Sequence, residues 1–242
     1  MCYFVEINLP RQQLEQRFNV PMPEDSRYMQ GNFLSAFTRP CLPVITGSDP
    51  ETIQLFQWGL IPFWVKDEDT AEKIRNSTYN AKSETLWEKP SFRGAVSHKR
   101  CLVLAHGFFE WHTAPDLKIP YYIKRKDDQA FAFAGLHEEW TNPATGEIIR
   151  TFSIITTRAN SLLEKIHNVK KRMPVILQEE NENQWIDQSY KKPGLEKLLV
   201  PLPDDQLHAH SVSRKILDRD LDITDKSILE PHDYIEGGGL LY

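Results

Sequence analysis

The chain has 242 residues, 40% of them hydrophobic, with 29 basic and 34 acidic side chains and a formal net charge of -5. That length can bury a sizeable core in one β-rich domain, and the balance excludes a bulk polycation built to coat nucleic acid, so any anion-binding surface is local. Three cysteines without a CxxC pair, no basic-then-apolar leader and no apolar stretch near the roughly 18 residues that span a bilayer point to a reducing cytoplasm, with no structural disulfide and no membrane partner.

In chain order, residues 2–7 read as a strand and 11–18 as a helix. A longer strand is expected at 52–60, then a helix at 67–75 with Asp67 as its N-cap. The run 101–109 reads as one strand. Strands at 121–125, 130–135 and 148–156 continue an antiparallel meander, turning at Lys126-Asp127-Asp128-Gln129 and Asn142-Pro143-Ala144-Thr145-Gly146. Helices follow at 160–166, 179–186 and 195–200, with a short strand at 175–177 and a late strand carrying His208 and His210 on one face. Strands and helices do not alternate strictly, so the expected fold class is α+β, with a curved, barrel-like, mostly antiparallel β core surrounded by helices. One domain is expected over 1–234, and the Gly-rich end, 235–242, is expected to be a flexible tail.

The first chemical signal is Cys2. Removal of Met1 would leave a free α-amine and a thiol on one residue, with ordinary pKa values of roughly 7.7 to 8.0 and 8.5. Such a 1,2-aminothiol captures an aldehyde: the amine condenses to an imine and the thiol closes a thiazolidine ring. By itself the signal is weak, and only partner residues give it weight.

Four later segments offer partners. Trp58-Gly59-Leu60-Ile61-Pro62-Phe63-Trp64 is either packed core or an exposed aromatic ledge on which bases stack. In Tyr79-Asn80-Ala81-Lys82-Ser83, Asn80 can fix a substrate oxygen and Lys82 can meet a phosphate, while the same stretch also reads as the start of a short helix. Glu110, fenced by Phe109 and Trp111 at the end of an apolar run, is expected to lose solvent and gain a raised pKa suited to proton shuttling; otherwise it is a solvated strand end. His167, followed by Lys170, Lys171 and Arg172, can pass a proton beside a phosphate-attracting loop, or simply cap a helix beside a solvated charged face. His106 and His112 flank the Glu110 segment, and Arg158 lies in a turn with no rank among these candidates. His208 and His210 lack a third ligand of matching spacing, so no metal site and no cofactor is expected.

Taken in order, Met1-Cys2, WGLIPFW, NAKSET, RCLVLAHGFFEW, PYYI, FSIITTRAN, IH with RMPVIL, and the late HSVS run resemble the SOS-response-associated peptidase (SRAP) family of abasic-site processing proteins, over roughly residues 2–213. The resemblance implies a barrel-like α+β domain and a positively charged channel for single-stranded DNA. It further implies a thiazolidine DNA-protein crosslink at the N-terminal Cys, with associated peptidase and lyase-like activity. By motif it makes Cys2 the nucleophile, Asn80 the group orienting substrate or the Cys2 backbone, Glu110 the proton shuttle and His167 the group that assists ring opening. Trp58, Phe63, Trp64, Lys82, Arg158, Lys170, Lys171 and Arg172 become the DNA-contacting set. The chain departs from the family pattern at Tyr3 and Phe4, where Gly-Arg is usual, at Lys82, where Arg is usual, and at 32–37. It also sets His167 five positions before Arg172, where the family's His stands two before the Arg. The expected partner is single-stranded DNA containing abasic sites, met as a monomer in the cytoplasm. A non-covalent single-strand binder and an N-terminal-Cys amidohydrolase are the alternatives.

Overall fold

The computed structural model describes residues 1–25, 27–218 and 220–234; the tail expected at 235–242 lies outside them. The chain begins with β1 (Phe4–Ile7), α1 (Arg11–Phe18), β2 (Gly31–Ser35), β3 (Cys41–Thr46), β4 (Asp49–Trp58), α2 (Glu68–Arg75) and β5 (Asn80–Lys82). It continues through α3 (Ala95–His98), β6 (Arg100–Ala105), β7 (Gly107–Thr113), β8 (Lys118–Arg125), β9 (Phe131–Thr141) and β10 (Ile148–Arg158). The last elements are α4 (Ser161–Ile166), β11 (Arg172–Pro174), α5 (Glu179–Ile186), α6 (Lys192–Glu196) and β12 (Leu207–Ser211).

Five strands close on themselves. β10 runs parallel to β4, while β4–β3, β3–β6, β6–β9 and β9–β10 are antiparallel, which makes a mixed barrel of the expected α+β class. β5 and β11 add to β10 outside that ring. A second sheet, in the order β12-β8-β7-β1-β2, carries the amino terminus. β6 is buried at every position because both its faces are covered, which explains its unbroken apolar sequence. α5 supplies part of that cover, with Trp185 Nε1 donating to the Cys101 carbonyl at 3.1 Å.

Asp67 caps α2 as expected, and Asn160, expected as the first helical residue, caps α4. Asp67 Oδ1 accepts from Thr70 N at 2.7 Å, and Asn160 Oδ1 accepts from Leu163 N at 2.8 Å. The expected single strand at 101–109 is instead two. His106 turns the corner, its backbone N–H donating to the Glu6 carbonyl at 2.9 Å, so β6 stays in the barrel and β7 enters the second sheet. Gly107 is required there because a Cβ would meet the Tyr122 ring at 2.3 Å. The helix expected at 195–200 starts earlier, at α6, with Pro193 in its first turn. The strand expected at 175–177 falls just after β11, though Val175 N still donates to Ile155 O at 2.9 Å. After β12 the chain returns across β2, where Asn32 N donates to Ile223 O at 2.6 Å, and so covers a sheet edge.

Candidate active site

β1 lies between β2 and β7, with Phe4 opposite Phe109. That register sets the residues just before Phe4 beside Glu110, the next residue along β7. Cys2 is fully buried, and its backbone carbonyl accepts from Asn80 Nδ2 at 2.8 Å. Asn80 reaches it from β5, a three-residue strand held in place by pairing with Ile154 on β10. The other amide atom of Asn80, Oδ1, is buried without a partner.

The Met1 ammonium stands 3.2 Å from Glu110 Oε1 and 3.1 Å from His167 Nε2. Glu110 and His167 are themselves 3.8 Å apart. Glu110 Oε1 receives that ion pair but no hydrogen bond of good geometry, so its buried carboxylate is incompletely satisfied. Burial pushes its pKa up to about 7, against the pull of the amine and of Lys170. Burial, and next the amine, push His167 down to about 4, so the ring is neutral at pH 7. Its Nδ1 lies 2.8 Å from the Arg172 carbonyl, which can only accept, so Nδ1 carries the proton and Nε2 presents a lone pair. The Cys2 thiol is raised well above the ordinary thiol range by burial and then by Glu110, which keeps it protonated.

His167 is held opposite Glu110 by stitches that the sequence does not advertise. His112 Nδ1 donates to Lys165 O at 2.9 Å, and Asn168 exchanges two hydrogen bonds with the Thr113 backbone at 3.0 and 2.9 Å. These tie the end of α4 to the end of β7. The extra residues before Arg172 fold into a turn, with Lys171 in the left-handed region at φ 48 and its N–H donating to His167 O at 2.8 Å. The longer spacing is thereby absorbed while His167 still reaches Arg172.

The DNA-contacting candidates separate. Trp58 is fully buried, stacks on Phe152 at 5.9 Å and donates Nε1 to Tyr79 O at 2.9 Å, so it is core and not a stacking platform. Phe63 and Trp64 are exposed, yet neither lines the cavities at the amino terminus. Arg172 is also corrected: its Nη2 is held by Glu84 Oε2 at 3.0 Å and Thr156 O at 2.6 Å, so it braces the loop. Lys171 pairs with Glu164 at 2.6 Å. Lys82 lines one cavity of about 520 Å³ and Lys170 a second of about 530 Å³, and Arg158 is exposed where β10 meets β11. Met1 and Tyr3 line both cavities. A second aromatic group lies beside the site: exposed Phe37 stacks on half-buried Tyr3 at 5.3 Å, and half-buried Phe4 meets half-buried Trp111 at 4.8 Å. No sequence pattern links residues 3, 37 and 111; only the sheet register brings them together.

This arrangement can hold an amine next to a carboxylate that both gives and takes a proton near neutrality, a neutral imidazole lone pair and a protonated thiol. Among the described residues no helix is long and apolar enough to cross a membrane. Residues 1–218 match the profile of the family described as SOS response associated peptidase (SRAP). The chain is 41% identical over 202 residues to the abasic site processing protein YoqW of Bacillus subtilis, covering 82% of this chain and 86% of that one. It is 31% identical over 186 residues to the abasic site processing protein HMCES of Gallus gallus, covering 69% of this chain and 54% of that longer protein. A crystal structure of a protein from Bacteroides thetaiotaomicron superposes with a TM-score of 0.91 at 37% identity, over 96% of this chain and all of that one, 100%. With a match of that extent along the chain and a shared fold around it, this protein belongs to the SOS response associated peptidase (SRAP) family.

Proposed function

We propose that this protein acts in the DNA damage response by capturing abasic sites in single-stranded DNA covalently, through Cys2 once Met1 is removed. The observation that carries the reading is the amine gripped between Glu110 and His167 at 3.2 and 3.1 Å, directly before a buried thiol. Support for the substrate class comes from relatives named abasic site processing proteins.

Asn80 anchors the Cys2 carbonyl through a contact that does not involve Met1. Met1 lines both cavities, so its removal opens space beside the Cys2 amine. The closed sugar must first open: His167 Nε2 takes the proton of the hemiacetal hydroxyl while protonated Glu110 gives one to the ring oxygen. The Cys2 amine then adds to the aldehyde carbon. The proton on His167 returns to the new alkoxide and one N–H proton passes to Glu110, which, with a pKa near 7, gives it to the departing hydroxyl; one water leaves, and the second N–H proton goes to Glu110 as the imine forms. Finally the thiol adds across the C=N bond, its proton moving to the nitrogen, and the thiazolidine closes. The burial-raised thiol makes the amine the first nucleophile and the sulfur the second.

Lys82 and Lys170, which line the two cavities, are assigned to phosphates together with the exposed Arg158, and Phe37 and Tyr3 to the neighbouring bases. Hydrolysis of the Met1–Cys2 bond by the same site and lyase-like handling of the strand belong to this reading, as does action by a monomer in the cytoplasm. Nothing in the chemistry calls for a metal or a cofactor. The test mixes Met1-processed protein with a single strand carrying one abasic site and separates the products on a denaturing gel. A shifted band that requires both the lesion and Cys2 is expected. Binding without a shifted band would leave a non-covalent single-strand binder, and amide hydrolysis without DNA would favour the amidohydrolase.

A further inference from the structure

Beyond Cys2, the other end of β1 borders a separate cavity of about 390 Å³, within the roughly 300–1,000 Å³ range of small-molecule sites. It shares no lining residue with the two cavities at Met1. One wall is a network centred on Glu6, whose carboxylate accepts from Asn8 N at 2.6 Å, His106 Nδ1 at 2.7 Å and Tyr122 OH at 3.0 Å. Two neighbouring groups are left incomplete. Asn32 is 1% exposed; its Oδ1 accepts from Asn8 Nδ2 at 2.9 Å, while its Nδ2 has no partner. His210 is 6% exposed, and its Nε2 lies 2.7 Å from the Leu229 carbonyl, so Nε2 carries the proton and Nδ1 is a bare, unpartnered acceptor.

Unmet buried polar atoms cost about 1–3 kcal/mol each, so a guest that offers one acceptor and one donor is favoured here. Leu9 and Leu229 add apolar wall, and Lys226 adds an exposed cation that makes no ion pair among the described residues. Lys226 and Leu229 lie beyond the 1–218 family match, so the outer wall is not part of what the family profile covers. A nucleobase meets all three demands: an edge with an acceptor beside an N–H donor, two apolar faces, and a phosphate on its sugar.

We propose that this cavity is a second, non-covalent nucleotide site, which seats a base edge on Asn32 Nδ2 and His210 Nδ1 and a phosphate at Lys226. The guest is a free mononucleotide or one nucleotide of a strand. The site is independent of the chemistry at Cys2.

The test is calorimetric titration of the full-length protein with deoxycytidine and deoxyadenosine 5′-monophosphates, with deoxycytidine, inorganic phosphate and an undamaged single strand as further arms. Binding below about 1 mM is expected, weakened about tenfold by Lys226→Ala and lost in His210→Phe, which keeps a ring and removes the acceptor. Adduct formation at Cys2 stays unchanged in both variants. Displacement of the mononucleotide by the strand, in a manner sensitive to Lys226→Ala, assigns the guest to a strand; no displacement assigns it to the free nucleotide. Absence of binding at 1 mM, or binding indifferent to Lys226→Ala, overturns the proposal. So does a crystal grown with saturating nucleotide in which a single water bridges Asn32 and His210. Should His210→Phe fail to fold, the surface variant Lys226→Ala carries the test.

Discussion

Glu6 and Glu110 are buried carboxylates on neighbouring strands, each beside a histidine, and they differ in how far their hydrogen bonds are filled. Glu6 accepts from three donors and is finished as structure. Glu110 has an amine at 3.2 Å, an imidazole at 3.8 Å and no well-formed hydrogen bond, and burial lifts its pKa to about 7. Residue type and burial are the same in both places. What separates scaffold from reactive group is the unfilled valence left facing a cavity.

Exchanging the two carboxylates for neutral groups breaks this comparison most directly. Glu110→Gln is expected to slow adduct formation by about 100-fold or more while leaving the melting temperature unchanged or higher, because a desolvated carboxylate is gone. Glu6→Ala is expected to do the reverse, costing about 3 kcal/mol in urea denaturation with an adduct rate within about threefold of the parent. Equal slowing by both would erase the distinction. A pH series sharpens it: on the Glu110 limb the rate should fall as pH rises through about 7, where Glu110 loses the proton it gives to the ring oxygen and the departing hydroxyl, and that limb should vanish in Glu110→Gln.

His137 supplies a third case. Both its ring nitrogens are buried and unpartnered, yet it lines neither the two cavities at Met1 nor the one beside Glu6. Burial, and then Lys99 and Arg150, depress its pKa from 6.5 to about 4. The unfolded chain takes up that proton first, so stability is intact above 6.5 and is lost as pH falls toward 4, by about 3 kcal/mol. His137→Phe should flatten that part of the pH–stability curve, and an unchanged slope would remove His137 as its source. The smallest effect is expected from Lys170→Ala, which should lower the salt dependence of single-strand binding by about one phosphate's worth, whereas an unaltered slope would take Lys170 off the DNA path.

Much of the site is legible in the sequence, for local reasons. Glu110 stands out because Phe109 and Trp111 fence it at the end of an apolar run, and Asn80, Cys2 and His167 stand out by residue type and order. Trp58 misleads because an aromatic cluster looks alike whether packed or exposed; its indole N–H on Tyr79 O, which decides the matter, is a tertiary contact. The corner at His106 is equally hidden, since the apolar pattern runs through it unbroken and only the Glu6 carbonyl marks the turn. His112 and Asn168 escape for the same reason: they act on backbone groups, and backbone carries no sequence signature. The barrel closure itself depends on β9 reaching both β6 and β10, a long-range pairing that local periodicity does not encode.

The most direct measurement is the intact mass of the denatured adduct formed by Met1-processed protein on abasic single-stranded DNA, taken with and without borohydride. The expected mass is protein plus DNA less one water, unchanged by borohydride and absent from Cys2→Ala, as a closed thiazolidine requires. An adduct that gains two hydrogens on reduction would be an open Schiff base and not a thiazolidine, and one that persists in Cys2→Ala would need no thiol; either result would contradict thiazolidine capture through Cys2.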